Sequence, residues 1–170
     1  MRFHVKNIHK KQVQGFSLIE VLVTLSVVSI GLLGVAGLQT STQQYSRNAY
    51  YHTQATIISH DMSERIRANP VALLAKNYHR ISPQKTNSCT TKLGCNPQQM
   101  AGNDSFEWTQ IIKAQLPQGH GVVCIDSSPN DGSVNSPACD NKGSYYAIKL
   151  WWHDTIENKT VRSVTAVMFQ

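Results

Sequence analysis

GFSLIEVLVTLSVVSIGLLGVAGL, residues 15–38, is the stretch on which the fold turns. From Phe16 to Leu38 it runs 23 residues with Glu20 as its only charge. A helix of that length is long enough to cross the hydrocarbon of a bilayer, so a transmembrane helix is expected over residues 16–38. A carboxylate in such a span costs about 2.5–3.5 kcal/mol at mid-bilayer and less near the interface, so Glu20 calls for a function.

The residues before the span set its direction. Arg2, Lys6, Lys10 and Lys11 are basic, His4 and His9 add partial charge, and no acid accompanies them. The positive-inside rule keeps residues 1–15 cytoplasmic and carries everything after Leu38, all four cysteines included, across the membrane. A secretory signal has an apolar core of about 7–15 residues and a small-residue cleavage site. Val35-Ala36-Gly37 imitates such a site, but this run is longer and holds an acid. A plain uncleaved anchor explains length and direction and leaves Glu20 and the Gly15–Phe16 junction without a purpose. The formal charge of +6 is largely a property of the leader: residues 16–170 keep twelve bases and ten acids, a balance of +2. Whole-chain basicity is therefore a weak argument for nucleic-acid binding.

Beyond Leu38 the composition turns polar while the helical period continues. Leu38, Tyr45, Ala49, His52, Ala55, Ile58, Met62 and Ile66 form one stripe, and Asn69-Pro70 stops it. A helix from Phe16 to Ala68 has 53 residues, about 80 Å of stalk. Gly31, Gly34 and Gly37 recur every third residue, on one side of that helix, where they permit close helix approach; small residues are also simply frequent in membrane helices.

Residues 71–103 read mainly as loop, broken by Pro83, Gly94, Pro97 and Gly102. A second helix is expected over Asp104–Leu116, with Asp104 and Glu107 at capping-box spacing and Pro117-Gln118-Gly119 ending it. Gly121–Asp126, Ser144–Trp152 and Thr160–Phe169 read as antiparallel strands, rich in β-branched and aromatic residues. Trp151 and Trp152 point to opposite faces, so one is expected in the core and the other at the surface or an interface. Residues 39–170 suffice for one modest core. In an oxidising compartment four cysteines favour two disulfides, and the local pairs Cys89–Cys95 and Cys124–Cys139 each close an evident loop. A zinc site is the alternative, but paired CxxC spacing is missing.

Enzyme chemistry finds little support: no nucleophile elbow, phosphate loop or HExxH is present, and no cofactor is implied. His60 with Glu64, and His153 with Asp154, could share a ligand, but exposed polar side chains are the commoner explanation.

GFSLIEVLVTLSVVSIGLLGVAGLQ, residues 15–39, resembles the amino-terminal signature of type IV prepilins. The resemblance implies cleavage between Gly15 and Phe16 by a prepilin peptidase, N-methylation of Phe16, and packing of the apolar helices in a filament. It also gives Glu20 a partner, the new amino terminus of a neighbouring subunit, and a buried pair is far less costly than two unpaired charges. Many major pilins carry a helix-breaking proline in this region and this chain has none. DMSERIRANP, residues 61–70, resembles a segment of the PilV group of minor pilins, also called type IV pilus modification proteins. Taken alone, its Asp61, Glu64, Arg65 and Arg67 describe a solvated helical face with ion pairs worth about 0.2–0.5 kcal/mol each.

The expected architecture is thus α+β and pilin-like: a long N-terminal helix, its first half transmembrane, packed against a small antiparallel sheet head with disulfide-closed loops. Residues 1–15 are the removable leader, 16–38 the membrane and filament-core helix, and 39–170 the periplasmic head. The resemblance implies a structural subunit in type IV pilus biogenesis, twitching motility and adhesion. Its partners are prepilin peptidase, the major pilin, other minor pilins and the assembly platform of the inner membrane, where it resides before reaching the pilus. Two alternatives stay open: a minor pseudopilin of type II secretion, and a membrane-anchored ligand or DNA receptor using Arg65, Arg67, Lys76, Arg80, Lys85 and Lys92 as a basic patch.

Overall fold

The computed structural model describes residues 15–156 and 158–168. The expectations for residues 1–14 and for Phe169 lie outside the described residues. Helix α1 spans Leu18–Ala68, α2 Pro70–Leu74 and α3 Pro97–Gln115, with a short 3-10 helix at Asn87–Thr90. Strands β1 (His120–Ile125), β2 (Tyr145–Asp154) and β3 (Lys159–Met168) form one antiparallel sheet in the order β1-β2-β3. The α+β class, with its long apolar N-terminal helix, small antiparallel sheet and disulfide-closed loops, is the one read from the sequence. The chain divides into two compact units, residues 1–42 and 43–170.

In the first unit the described part of α1 is exposed along its whole length. Leu18, Ile30 and Leu33 are among many apolar side chains open to the outside, and an all-round apolar helix of this length is the one described helix able to cross a membrane. Its hydroxyls are satisfied internally. Thr24 donates to the Glu20 carbonyl at 3.0 Å, Ser26 to Leu22 at 2.9 Å and Ser29 to Leu25 at 2.7 Å, which suits a segment with no water to bond.

In the second unit α1 turns amphipathic. Ala55, Ile58, Ser59, Met62, Ser63 and Ile66 are buried on one face. Opposite them stand Tyr146, Ile148, Leu150 and Trp152, the alternate residues of β2, with Trp108 and Ile112 of α3 completing the core. The Trp108 indole N–H donates to the Ile58 carbonyl at 3.0 Å, so α3 is tied to α1 by a buried bond as well as by apolar contact. The upstream members of the expected stripe, Leu38, Tyr45, Ala49 and His52, remain exposed.

Four local readings change. Asn69 ends α1, and Pro70 opens a further helical turn in which it occupies the first position, where a missing N–H costs nothing. The helix expected from Asp104 starts at Pro97, capped by a reciprocal Asn96–Gln99 box. Asp104 and Glu107 are therefore interior residues of α3 and free to act elsewhere. Finally, Trp151 and Trp152 are both buried, at 4% and 2% exposure. Trp152 faces the core, whereas Trp151 lies on the other side of the sheet in a recess walled by the loop that follows β1.

Candidate functional site

Gly15, Phe16 and Ser17 precede α1 and carry no helical assignment. The Gly15–Phe16 peptide is thus free of helix hydrogen bonding, and among the described residues no atom beyond its chain neighbours lies within 4 Å of the position a Gly15 side chain would occupy. Phe16 is 84% exposed. An open, non-helical bond flanked by glycine is the form of substrate a protease can bind closely. Ser17 begins the helix by accepting from the Glu20 N–H at 3.0 Å and the Val21 N–H at 3.3 Å. Glu20 consequently stands in the first turn, where the helix dipole favours a carboxylate. Among the described residues none of the ion pairs uses it. Gly31, Gly34 and Gly37 likewise have open space where a side chain would be.

The segment at residues 61–70 has a tertiary role that its local pattern conceals. Arg65 donates to Asp61 at 2.9 Å, one turn away, and also to Glu107 at 2.8 Å and Asp104 at 3.4 Å on α3. Asp104 is reached from its other side by the Tyr78 hydroxyl at 2.7 Å. Asn69 completes the arrangement: its amide N–H donates to Tyr78 at 3.2 Å and to the Pro97 carbonyl at 2.8 Å, and its oxygen accepts from the Ala72 N–H at 3.3 Å. The stretch locks the end of α1 to the start of α3, rather than forming only a solvated face.

Charges in this lock are strongly biased. Burial disfavours the Arg65 cation, but hydrogen bonds to Glu107 and Asp61 and the surrounding carboxylates outweigh that and push its pKa up. Burial raises Asp104 although Tyr78 and Arg65 pull it back, while the Arg65 hydrogen bond lowers Glu107. Burial, reinforced by Asp104, pushes the Tyr78 hydroxyl up.

This use of Arg65 changes the expected basic patch. Arg65 is committed to three carboxylates and Arg67 donates to Glu64 at 2.7 Å, leaving Lys76, Arg80, Lys85 and Lys92 as its exposed cations. His60 lies 3.8 Å from Glu64, and Asp154 accepts from Asn48 at 2.7 Å and from the Ile156 N–H. Neither pair belongs to a group of three metal-capable side chains among the described residues.

Disulfides join Cys89 to Cys95 and Cys124 to Cys139. Against the second of these loops lies a group that sequence reasoning missed. Lys149, on β2, is wholly buried and lies 2.5 Å from Asp126 and 3.0 Å from Asp131, with the Pro137 carbonyl accepting at 2.8 Å. A lysine between apolar neighbours, Ile148 and Leu150, was the available signal, since a buried cation must find partners. The Asn96-Pro97-x-Gln99 cap was also present in the sequence as a helix start with proline at its first position.

Residues 10–36 match the prokaryotic N-terminal methylation motif, and residues 37–106 match the family described as type IV pilin Tt1218. No significant match was found among curated proteins or among solved structures. The second match takes in the Arg65 lock and most of its partners, and the first takes in Gly15, Phe16 and Glu20. That family is one of structural subunits rather than enzymes, and its motif implies processing by prepilin peptidase and assembly with other pilins. The matched stretches adjoin at residues 36 and 37 and join an exposed apolar helix to a disulfide-bearing head, and the chain is a type IV pilin-like protein.

Proposed function

We propose that this chain is a minor pilin of the PilV type, incorporated into type IV pili or priming their assembly. The observation that carries the reading is the open Gly15–Phe16 bond at the start of an exposed apolar helix with Glu20 in its first turn. Residues 1–15 are the leader removed at that bond. The freed amino group of Phe16 is methylated, and it meets Glu20 of a neighbouring subunit as the helices enter the filament core. Breaking such a buried pair typically costs about 3–5 kcal/mol, enough to decide whether a subunit docks. Gly31, Gly34 and Gly37 provide the close-packing side of residues 16–38. Residues 39–170 form the periplasmic head, which reaches the cell surface with the pilus and supports twitching motility and adhesion. The 61–70 segment favours a pilus over a secretion filament because its resemblance is to minor pilins.

Amino-terminal mass spectrometry of the membrane-derived protein tests the processing. N-methylated Phe16 is expected, whereas an intact Met1 or a terminus near Gly37 defeats the reading. Deletion of the gene then separates the two filaments: loss of pili with protein secretion intact supports the minor pilin, and the reverse result assigns a pseudopilin.

A further inference from the structure

The loop closed by Cys124 and Cys139 helps to form an open recess of about 510 Å3 on the side of the sheet away from the core. That volume falls within the roughly 300–1,000 Å3 typical of small-ligand sites. Ser133 and Asn135 stand on the loop side, Trp151 belongs to β2, and Thr160 and Arg162 belong to β3. Arg162 and Trp151 are register partners on neighbouring strands, so their side chains leave the sheet on the same face, and both line the recess.

Arg162 is the only charged group of the lining among the described residues. Its position is set in advance, since it donates to the Gly132 carbonyl at 3.0 Å and to the Asn130 carbonyl. A guanidinium has about five N–H donors, so these two bonds leave others for a ligand. The loop itself is held from beneath by Lys149 with Asp126 and Asp131, and at its ends by the disulfide. Fixed walls reduce the ordering cost of binding.

We propose that this recess binds an acidic saccharide. The sugar carboxylate pairs with Arg162, ring hydroxyls bond to Ser133, Asn135 and Thr160, and the sugar covers the small part of Trp151, 4% exposed, that reaches the recess. A carboxylate matches the planar donor fork of arginine, and the uncharged remainder of the lining suits hydroxyl groups better than a second charge. The proposal stands on the geometry of the head and is independent of which filament carries the chain.

The experiment titrates the processed, detergent-solubilised protein with galacturonic, glucuronic and N-acetylneuraminic acids, following tryptophan fluorescence and calorimetry. Galactose serves as the neutral control and a single-stranded oligonucleotide as the polyanionic one. Saturable binding of at least one acidic sugar is expected, with galactose weaker by about tenfold or more and Arg162→Gln weakening the acidic sugar to a similar extent. Asn135→Ala, which removes none of the bonds that pin the loop, weakens binding while leaving thermal unfolding unchanged, and it decides the matter if Arg162→Gln does not fold. The proposal is overturned if none of the three acids saturates, if galactose binds equally well, if Asn135→Ala leaves affinity unchanged, or if the oligonucleotide alone binds.

Discussion

His79 shows how a single titrating group shapes stability. Its Nδ1 accepts the Ile125 N–H at 3.0 Å, tying the loop after α2 to β1. Burial, and then Arg80 and Lys76, lower its pKa, which keeps the ring neutral and able to accept. The unfolded chain takes up this proton first, so the stabilisation is complete above about pH 6.5 and is lost as pH falls through the depressed folded value. His79→Gln is expected to flatten the pH dependence of urea unfolding between about pH 7 and 5 and to cost about 1 kcal/mol at neutral pH. Lys149 is a harsher case, because it and Asp126 are both fully buried. Lys149→Met strands the Asp126 carboxylate and should cost about 3–5 kcal/mol. Thermal unfolding of Lys149→Met/Asp126→Asn should recover a measurable part of that loss; no recovery would mean that the pair is not the unit that matters.

Between elements, the principal polar lock is Arg65 of α1 with Asp104 and Glu107 of α3. Arg65→Ala is expected to destabilise by about 1.5–3 kcal/mol, the range for hydrogen bonds to charged groups. Arg65→Lys should recover only part, since an ammonium cannot reproduce the guanidinium fork. Equilibrium denaturation of the three proteins measures both effects. The loop after β1 relies on a covalent tie whose cysteines are 15 residues apart. Replacing Cys124 and Cys139 by serine should cost about 3 kcal/mol on the chain-entropy account. It should also raise amide exchange across residues 127–143 before the sheet opens, because that loop depends on the tie and on Lys149 for its position.

For the molecule as a whole, one unit is designed for an apolar environment and the other carries its own core. The exposed helix of the first unit satisfies its hydroxyls internally and presents Glu20 in its first turn. Glu20→Gln removes the charge while keeping size, so membrane insertion and cleavage after Gly15 should persist as assembly falls. Immunoblots of sheared pili against membrane fractions report this directly: processed protein retained in the membrane and depleted from pili is expected, and normal incorporation would dismiss the charge-pairing role. A loss of about 3–5 kcal/mol in docking corresponds to more than a hundredfold shift between the two pools.

α1 and the three strands were legible to within about two residues because the forces that define them are local: helical periodicity, an apolar run of membrane length, and β-branched alternation. The resemblance at residues 15–39 rests on the same contiguous stretch. By contrast, the partners of Arg65 lie 39 and 42 residues away, the tryptophan bonded to Ile58 lies 50 away, and nothing in their spacing announces the pairing. Local pattern made Asp104 and Glu107 a helix cap; packing made them a counter-charge for α1. Trp151, Lys149 and Arg162 belong to the same class, since alternation assigns them to the side of the sheet away from the core but cannot say that a loop comes back to that side. The chain's order therefore determined which segments became helix and strand and which helix is apolar over a membrane-crossing length, while folding decided which buried charges were neutralised and where a recess was left, because those depend on contacts between residues distant in sequence.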